Sequence, residues 1–275
     1  MPRRPDSTPS PYGDPTDYDI LMTPGTAAEV DGIERTAHSW VGRARPPGAA
    51  LTFLEPGCGT GRYLRVLAAR GHRAIGFDID PRMLDFARAA LRARGHARRA
   101  RVFRASMTNF AARLRPARAD FAFNLHNTIR HLESDEAMLR HFSEMARALR
   151  PHGLYAVGIS LSQYGEEPVQ EDVWVGRRGR RTVRQLVQYL PPGTREHGPA
   201  RQRFERVVSH VAIERPRGVE HFDSTYELRC YDARQWERLL ARSALRQRAT
   251  VDWWGEPFTR RAPGYAVELL ARRSG

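Results

Sequence analysis

The chain has 275 residues, 41% of them apolar, which suits one enlarged domain with a full core and allows two. No apolar run reaches the roughly 20 residues that a membrane span needs, and Met1 to Pro15 lacks the apolar centre of a signal peptide. The net charge of +14 comes from 45 basic residues, all arginine, and predicts some affinity for polyanions, while two distant cysteines, Cys58 and Cys230, argue against a disulfide scaffold and for a reducing, cytoplasmic setting.

Residues 1–16, rich in Pro, Ser, Asp and Arg, read as a disordered leader. Thr26 to Arg43 reads as a helix with Ala28, Ile33, Ala37 and Trp40 as its apolar stripe, stopped by Arg45-Pro46-Pro47-Gly48. Ala50 to Leu54 is a first strand. It ends at Glu55-Pro56-Gly57-Cys58-Gly59-Thr60-Gly61, and a helix from Gly61 to Arg70 follows. Ala74 to Asp78 is a second strand; Asp80 then caps a helix whose first turn holds Pro81 and whose buried face is Met83, Leu84, Ala87 and Leu91. Arg101 to Ala105 and Phe121 to Leu125 are the third and fourth strands. Ser134 caps a helix with Asp135 and Glu136 in its first turn, and Leu154 to Ile159 is the fifth strand. This alternation predicts a parallel sheet covered on both faces.

The pattern then breaks. Ser162 to Tyr231 reads as antiparallel strands over Trp174–Arg177, Thr182–Leu190, Phe204–Ile213 and Val219–Tyr231, with turns at Arg178-Gly179, Pro191-Pro192-Gly193 and Pro216-Arg217-Gly218. Tyr226, Leu228 and Cys230 alternate with Glu227 and Arg229, so one face of the last strand is buried. Asp232 and Gln235 form a capping-box pattern opening a helix with Trp236, Leu239 and Leu240 inward, and strands over 246–254 and 265–271 close the chain. The expected organisation is a leader (1–16), an α/β core (17–161), a β insertion (162–231) and a return to the core (232–275).

The glycine turn carries the first chemical information. Dinucleotide-binding turns space their glycines as GxGxxG; here Gly57, Gly59 and Gly61 stand at alternate positions behind the acidic Glu55. Glycine lets backbone N–H groups approach a ligand because no Cβ intervenes. Twenty-odd residues on, Asp78 ends the second strand, where a carboxylate can accept bonds from both ribose hydroxyls. Asp80 is accounted for by the helix cap. This form of the turn, with Asp78, resembles motif I of class I S-adenosylmethionine (SAM) dependent methyltransferases.

The resemblance implies a Rossmann-like, seven-stranded α/β fold with the antiparallel insertion after the fifth strand, and SAM as cofactor. It implies that Glu55, Gly57, Cys58, Gly59 and Gly61 border the methionine part of SAM and that Asp78 takes the ribose. Ile79 and Met83 would pack on adenine, although Met83 equally suits a core position. After the third strand many relatives carry an Asp for the adenine amino group; this chain has Ser106 and Met107, whose hydroxyl and backbone N–H could serve instead. Leu125, at the end of the fourth strand, would lie over the cofactor. Asn127 to Leu132 is similar to the Gly-His-Leu segment of small-molecule N-methyltransferases, glycine-type and antibiotic-sugar enzymes being closest in layout, with His131 at the histidine and Arg130 in place of the glycine. His131 is the candidate proton acceptor, the other reading being a structural histidine bonded to backbone. Tyr18, in Tyr18-Asp19-Ile20-Leu21, resembles the tyrosine that closes over the methyl donor.

For the acceptor, the expectation is a small molecule methylated on N or O, with His126, Asn127, Arg130, Trp174 and Tyr226 in contact with it and Trp174, Tyr189, His210, Phe222 and Tyr226 on the inside of a β roof. The protein is expected as a monomer or homodimer, without membrane association. No Cys/His spacing suggests a metal. The alternative is an RNA methyltransferase: Arg88 to Arg118 holds ten arginines and no acid, which reads either as a solvated face or as a nucleic-acid patch. A non-catalytic SAM-binding interaction protein is a third reading, disfavoured by the intact Glu55, glycine turn and Asp78.

Overall fold

The structure is a computed structural model and describes residues 12–41, 48–114, 118–192, 203–259 and 264–273. The main sheet holds β1 (Thr52–Pro56), β2 (Arg73–Asp78), β3 (Ala100–Arg104), β4 (Ala119–Asn124), β5 (Leu149–Leu161), β10 (Leu245–Val251) and β11 (Gly264–Arg272), in the order β10-β11-β5-β4-β1-β2-β3. β1 to β5 pair in parallel, whereas β11 runs antiparallel to both β5 and β10. A second, antiparallel sheet in the order β6-β7-β8-β9 comprises β6 (Gln170–Arg178), β7 (Arg181–Leu190), β8 (Phe204–Arg215) and β9 (Gly218–Arg229). The fold is thus the Rossmann-like α/β class with an antiparallel sheet after the fifth strand.

Among the described residues six α-helices accompany the sheets: α1 (Pro15–Met22), α2 (Thr26–Val41), α3 (Arg62–Ala69), α4 (Pro81–Ala93), α5 (Asp135–Ala148) and α6 (Ala233–Ala241). Their ends follow local chemistry. Asp80 accepts Arg82 N–H ahead of Pro81, Ser134 accepts Ala137 N–H, and Asp232 with Gln235 makes the full reciprocal capping box. Two cores flank the sheet. One gathers Phe77, Phe110, Phe142, Tyr155 and Trp236, and the other Val30, Phe53, Leu64, Phe123 and Leu269.

Three differences from the sequence reading concern the ends of elements. The segment 12–16 does not extend a leader: Asp14 caps α1 and Pro15 opens it, the same Asp-Pro start that opens α4. β5 begins at Leu149 because Ala119 on β4 already pairs there, so Pro151-His152-Gly153 lies within the strand. The strands of the second sheet run longer than expected because each is paired along nearly its whole length. Residues 1–11 of the expected leader, the helix stop at 45–47, Gly193 and Arg115 lie outside the described residues.

β1 stands between β2 and β4, so the chain builds the sheet outward in both directions from it. In open α/β sheets such a reversal leaves a crevice beyond the carboxyl ends of the strands. The glycine turn after β1 and the turn after β4 face each other there. A Cβ on Gly57 would stand 2.9 Å from Thr128 Cγ2. Among the described residues no helix is long and apolar enough to cross a membrane.

Candidate functional site

The three glycines of the turn all adopt left-handed backbone, with φ of +64° at Gly57, +49° at Gly59 and +72° at Gly61. The turn is fastened on both sides. Cys58 N–H donates to Phe77 O at 3.0 Å and Gly61 N–H to Cys58 O at 2.8 Å. Asp78 accepts from Gly59 N–H at 2.9 Å through Oδ2 and from Asp80 N–H at 3.0 Å through Oδ1. It therefore braces the turn, and burial raises its carboxyl. Each oxygen keeps lone-pair capacity beyond these two bonds. The Cys58 side chain is buried against Gly76, so only its backbone faces the crevice.

Glu55 sits at the end of β1, 7% exposed, and its Oε2 has no hydrogen-bond partner among the described residues. Burial pushes its carboxyl well above the ordinary range, with Arg62 opposing the shift and Asp78 adding to it. A buried acceptor left unpaired costs about 1–3 kcal/mol, and a cationic amino group arriving at the turn would remove that cost. The orphaned carboxyl oxygen beside the three glycines would fit a ligand that carries an ammonium group.

Beside Asp78, Ile79 is 65% exposed and offers a flat apolar surface. Met83 does not: it is 3% exposed on the inner face of α4, so its core reading is the correct one. Ser106 is exposed and its Oγ accepts Thr108 N–H at 3.2 Å. Met107 is held by a residue the sequence did not single out. His141 Nδ1 donates to Met107 O at 2.9 Å, so its Nε2 accepts from Tyr155 Oη at 2.8 Å. Burial lowers His141 to about 4, which keeps the ring neutral. Glu144, one turn on, accepts Phe110 and Ala111 N–H at 2.8 and 2.7 Å. Together they fix the segment after β3.

A cavity of about 1050 Å³ opens between α1, the turn after β4 and the inner face of the second sheet. Trp174, Tyr189, Phe222 and Tyr226 line it, whereas His210 does not: it projects from the outer face, where it meets Asp223 at 2.6 Å and His221 at 3.1 Å. His131 lies on the cavity wall, and its Nε2 and the Tyr12 hydroxyl are 2.5 Å apart. Burial, reinforced by Arg130, lowers His131 to about 4, so it does not titrate near neutral pH as its residue type suggests. Tyr18 also lines the cavity and lays its ring against Gly59; burial raises its phenol to about 12.

The other expected contacts are partly committed to the frame. Arg130 borders the cavity but spends its guanidinium on Arg229 O at 2.9 Å and Glu205 at 2.8 Å. Asn127, at φ +60°, accepts Ser160 N–H at 2.7 Å and donates to Ser160 Oγ at 3.0 Å. His126, at φ +53°, joins a polar group with Arg62, Tyr63 and Glu29, and its ring lies near Trp174 and Trp253. Leu125 is buried in the core beneath.

Sequence reasoning missed the acidic pair of α1. Asp19 receives Arg65 from α3 at 2.7 Å and Arg178 from β6 at 2.6 Å; burial pushes its carboxyl up, but the two arginines outweigh burial and hold it below the ordinary range. Asp17 receives Arg181 at 2.5 Å. α1 thus ties the helix after the glycine turn to the second sheet. Three acids within six residues, Asp14, Asp17 and Asp19, were the available signal. Among the described residues no group of three or more His, Cys, Asp or Glu side chains could hold a metal ion.

Residues 53–153 match the family model described as "Methyltransferase domain". No curated protein matches the chain by sequence. Among solved structures, the sugar N-methyltransferase KedS8 from a Streptoalloteichus species is 22% identical, with 99% of this chain and 97% of that one covered and a TM-score of 0.67. The SAM-bound amino pentose methyltransferase CalS10 from Micromonospora echinaspora is 19% identical, covering 97% and 99%, with a TM-score of 0.61. A SAM-dependent methyltransferase from Clostridium acetobutylicum is 13% identical, covering 88% and 92%, with a TM-score of 0.67.

Proposed function

We propose that this chain, whose core is a class I SAM-dependent methyltransferase domain, is an enzyme that moves a methyl group to a nitrogen or oxygen atom of a small-molecule acceptor bound in the cavity under the second sheet. The observation that carries the reading is the adjacency of two sites. The glycine turn with its orphaned Glu55 lies against Tyr18, and Tyr18 also lines the cavity. Sugar and amino-pentose enzymes among the similar structures support the same class of acceptor.

Bound at the turn, SAM would supply a methyl group on a sulfonium centre, open to in-line displacement. Glu55 would take its amino group, the backbone of Gly57, Cys58, Gly59 and Gly61 its amino-acid portion, Asp78 the ribose hydroxyls and Ile79 the adenine face. Ser106 and the Met107 backbone would serve the adenine edge. In-line transfer asks the protein chiefly to align donor and acceptor. Tyr18 covers the junction of the two sites and excludes water. With Nε2 donating to the Tyr12 hydroxyl, neutral His131 would keep the Nδ1 lone pair to take the proton that the acceptor loses, and its depressed proton affinity would let that proton go on to solvent. Trp174 and Tyr226 hold the acceptor's apolar surface, and Arg130 and Asn127 keep their own turn in place.

The RNA alternative draws on Arg88 to Arg118. Its described members lie on α4, on β3, in the segment between them and in the segments after β3, and none borders the cavity. β3 is the sheet edge farthest in strand order from β10 and β11. Screening a metabolite extract with methyl-labelled SAM tests the reading: label is expected in one small molecule and not in RNA. Label in RNA, with affinity that holds at physiological salt, would favour the alternative.

A further inference from the structure

The tip between β10 and β11 presents to the cavity an aromatic surface that neither the donor nor the proton requires. Trp253 borders the cavity and is 40% exposed, a large apolar ring left partly in water. The tip that carries it is tightly built. Asp252 Oδ1 accepts from Trp254 N–H at 2.7 Å and from Glu256 N–H at 3.0 Å, and Asp252 N–H donates to Glu256 O at 3.0 Å. α2 packs against the tip at two glycines. A Cβ on Gly32 would collide with Trp253 O, and one on Gly255, at φ +84°, with Thr36 Oγ1. Trp253 is thus placed through its backbone, with part of its ring left for a ligand.

Other rings join it at this end of the cavity. Trp253 stacks on Tyr265, with centroids 4.7 Å apart and planes 13° from parallel. The His126 ring lies 5.2 Å from Trp253 and 6.3 Å from Trp174, so it links a ring of the main sheet to one of the second sheet. Trp174 and Met22 pack on the same small core and both border the cavity. Polar capacity here is already committed: His126 Nε2 meets Tyr63 Oη at 2.9 Å and Arg62 at 3.1 Å, and Tyr265 Oη accepts His126 N–H at 3.2 Å. A flat apolar ring gains stacking at such a wall, whereas a ring with polar edges finds few partners. His131, five residues along the same segment, lies instead with Tyr12 and Tyr226. The glycine turn approaches between the two histidines, at Thr128.

Resting on the reading of this cavity as the acceptor site, we infer that Trp253 is a specificity-determining residue: with Trp174 and His126 it forms a second subsite, which takes an apolar aryl ring of the acceptor apart from the atom that is methylated. The aryl ring lies on the open part of Trp253, and Tyr265 supports that ring from behind. A saturated ring with the same carbon skeleton is puckered. It buries comparable apolar surface but lacks the stacked contact, so the subsite separates flat rings from puckered ones. Trp254 takes no part. It is 49% exposed, does not border the cavity and faces Arg35 on α2, whose guanidinium lies 5.6 Å from the ring centroid.

The test is calorimetry on the full chain. The probes are naphthol, its saturated counterpart decahydronaphthol, and uridine as a flat ring with polar edges. Naphthol is expected to bind roughly three- to tenfold tighter than either of the others. Trp253→Met keeps an apolar side chain without a flat face and should bring naphthol to within about twofold of decahydronaphthol. Trp253→Phe should retain most of the preference and Trp254→Ala all of it. A merely structural role for Trp253 would weaken every probe alike and leave their ratio unchanged. Equal binding of naphthol and decahydronaphthol, tighter binding of uridine, a preference that survives Trp253→Met, or an equal loss in Trp254→Ala overturns the inference. S-adenosylhomocysteine titrated alone reports on the methyltransferase reading, so a missing cofactor signal and a missing aryl preference are distinct failures.

Discussion

The Tyr18 ring lies 3.4 Å from the point where a Cβ on Gly59 would stand. One residue comes from the helix that precedes the core and the other from the turn that follows its first strand, so the contact makes α1 a cover over the candidate cofactor site. Replacing Tyr18 by Ala should speed SAM release about tenfold, seen by stopped-flow displacement. Tyr18→Phe should keep the wild-type release rate, because the cover is the ring. Equal rates in all three proteins would show that α1 does not close over the cofactor.

Asp78 serves the turn and, in the proposal, the ribose. Asp78→Ala removes the acceptor for Gly59 and Asp80 N–H. Stability should fall by about 1–3 kcal/mol in urea unfolding, and SAM affinity by at least about a hundredfold in calorimetry. A variant that loses stability but binds SAM normally would leave Asp78 as a brace alone.

Two histidines are held neutral. Burial lowers both His131 and His141 to about 4, below the ordinary value near 6.5. The unfolded chain therefore takes up protons at a higher pH than the folded one. The stability these rings contribute is fully present above pH ~6.5 and is lost as pH falls from there toward 4. For fully buried His141 the loss should be on the order of 3 kcal/mol. His141→Gln should flatten the fall in melting temperature over that window. A histidine resonance of His141 titrating near pH 6.5 would contradict the placement.

His131 adds a kinetic counterpart. With its proton affinity depressed to about 4, it should produce no limb near pH 6.5 in kcat/KM. His131→Ala should lower kcat on the order of a hundredfold while SAM affinity holds. Wild-type turnover in that variant would leave alignment as the whole mechanism.

Asp19 joins α3 to β6 through Arg65 and Arg178, and Asp19 and Arg65 are both buried. Asp19→Ala leaves a buried guanidinium without its counter-charge, which should cost about 3–5 kcal/mol in chemical denaturation. Asp19→Asn should recover part of that by keeping one acceptor. Unchanged stability in Asp19→Ala would mean that the clasp is dispensable.

The core of this fold was legible because its signals are local. Asp80 before Pro81, Ser134 before two acids and Asp232 with Gln235 each cap a helix within four residues of themselves. The residues misjudged are those whose surroundings come from distant segments. Met83 and Ile79 sit four positions apart beside the same carboxylate, yet one is buried by helix packing and the other left bare. His210 alternates correctly with its neighbours but on the outer face, because strand register and not residue type decides which side a side chain takes.

The sequence by itself determined the alternation of strands and helices, the glycine turn behind Glu55 and the carboxylate that ends β2, since each depends on backbone preferences within a short span. Only the tertiary structure decided how the charges on the cavity wall are paired. Arg130 and Arg181 lie far in sequence from the acids they meet, and folding brings Glu205 and Asp17 against them. Ion pairing acts through space over a few ångströms, and residues 75 or 164 positions apart come that close only when the second sheet folds over the first.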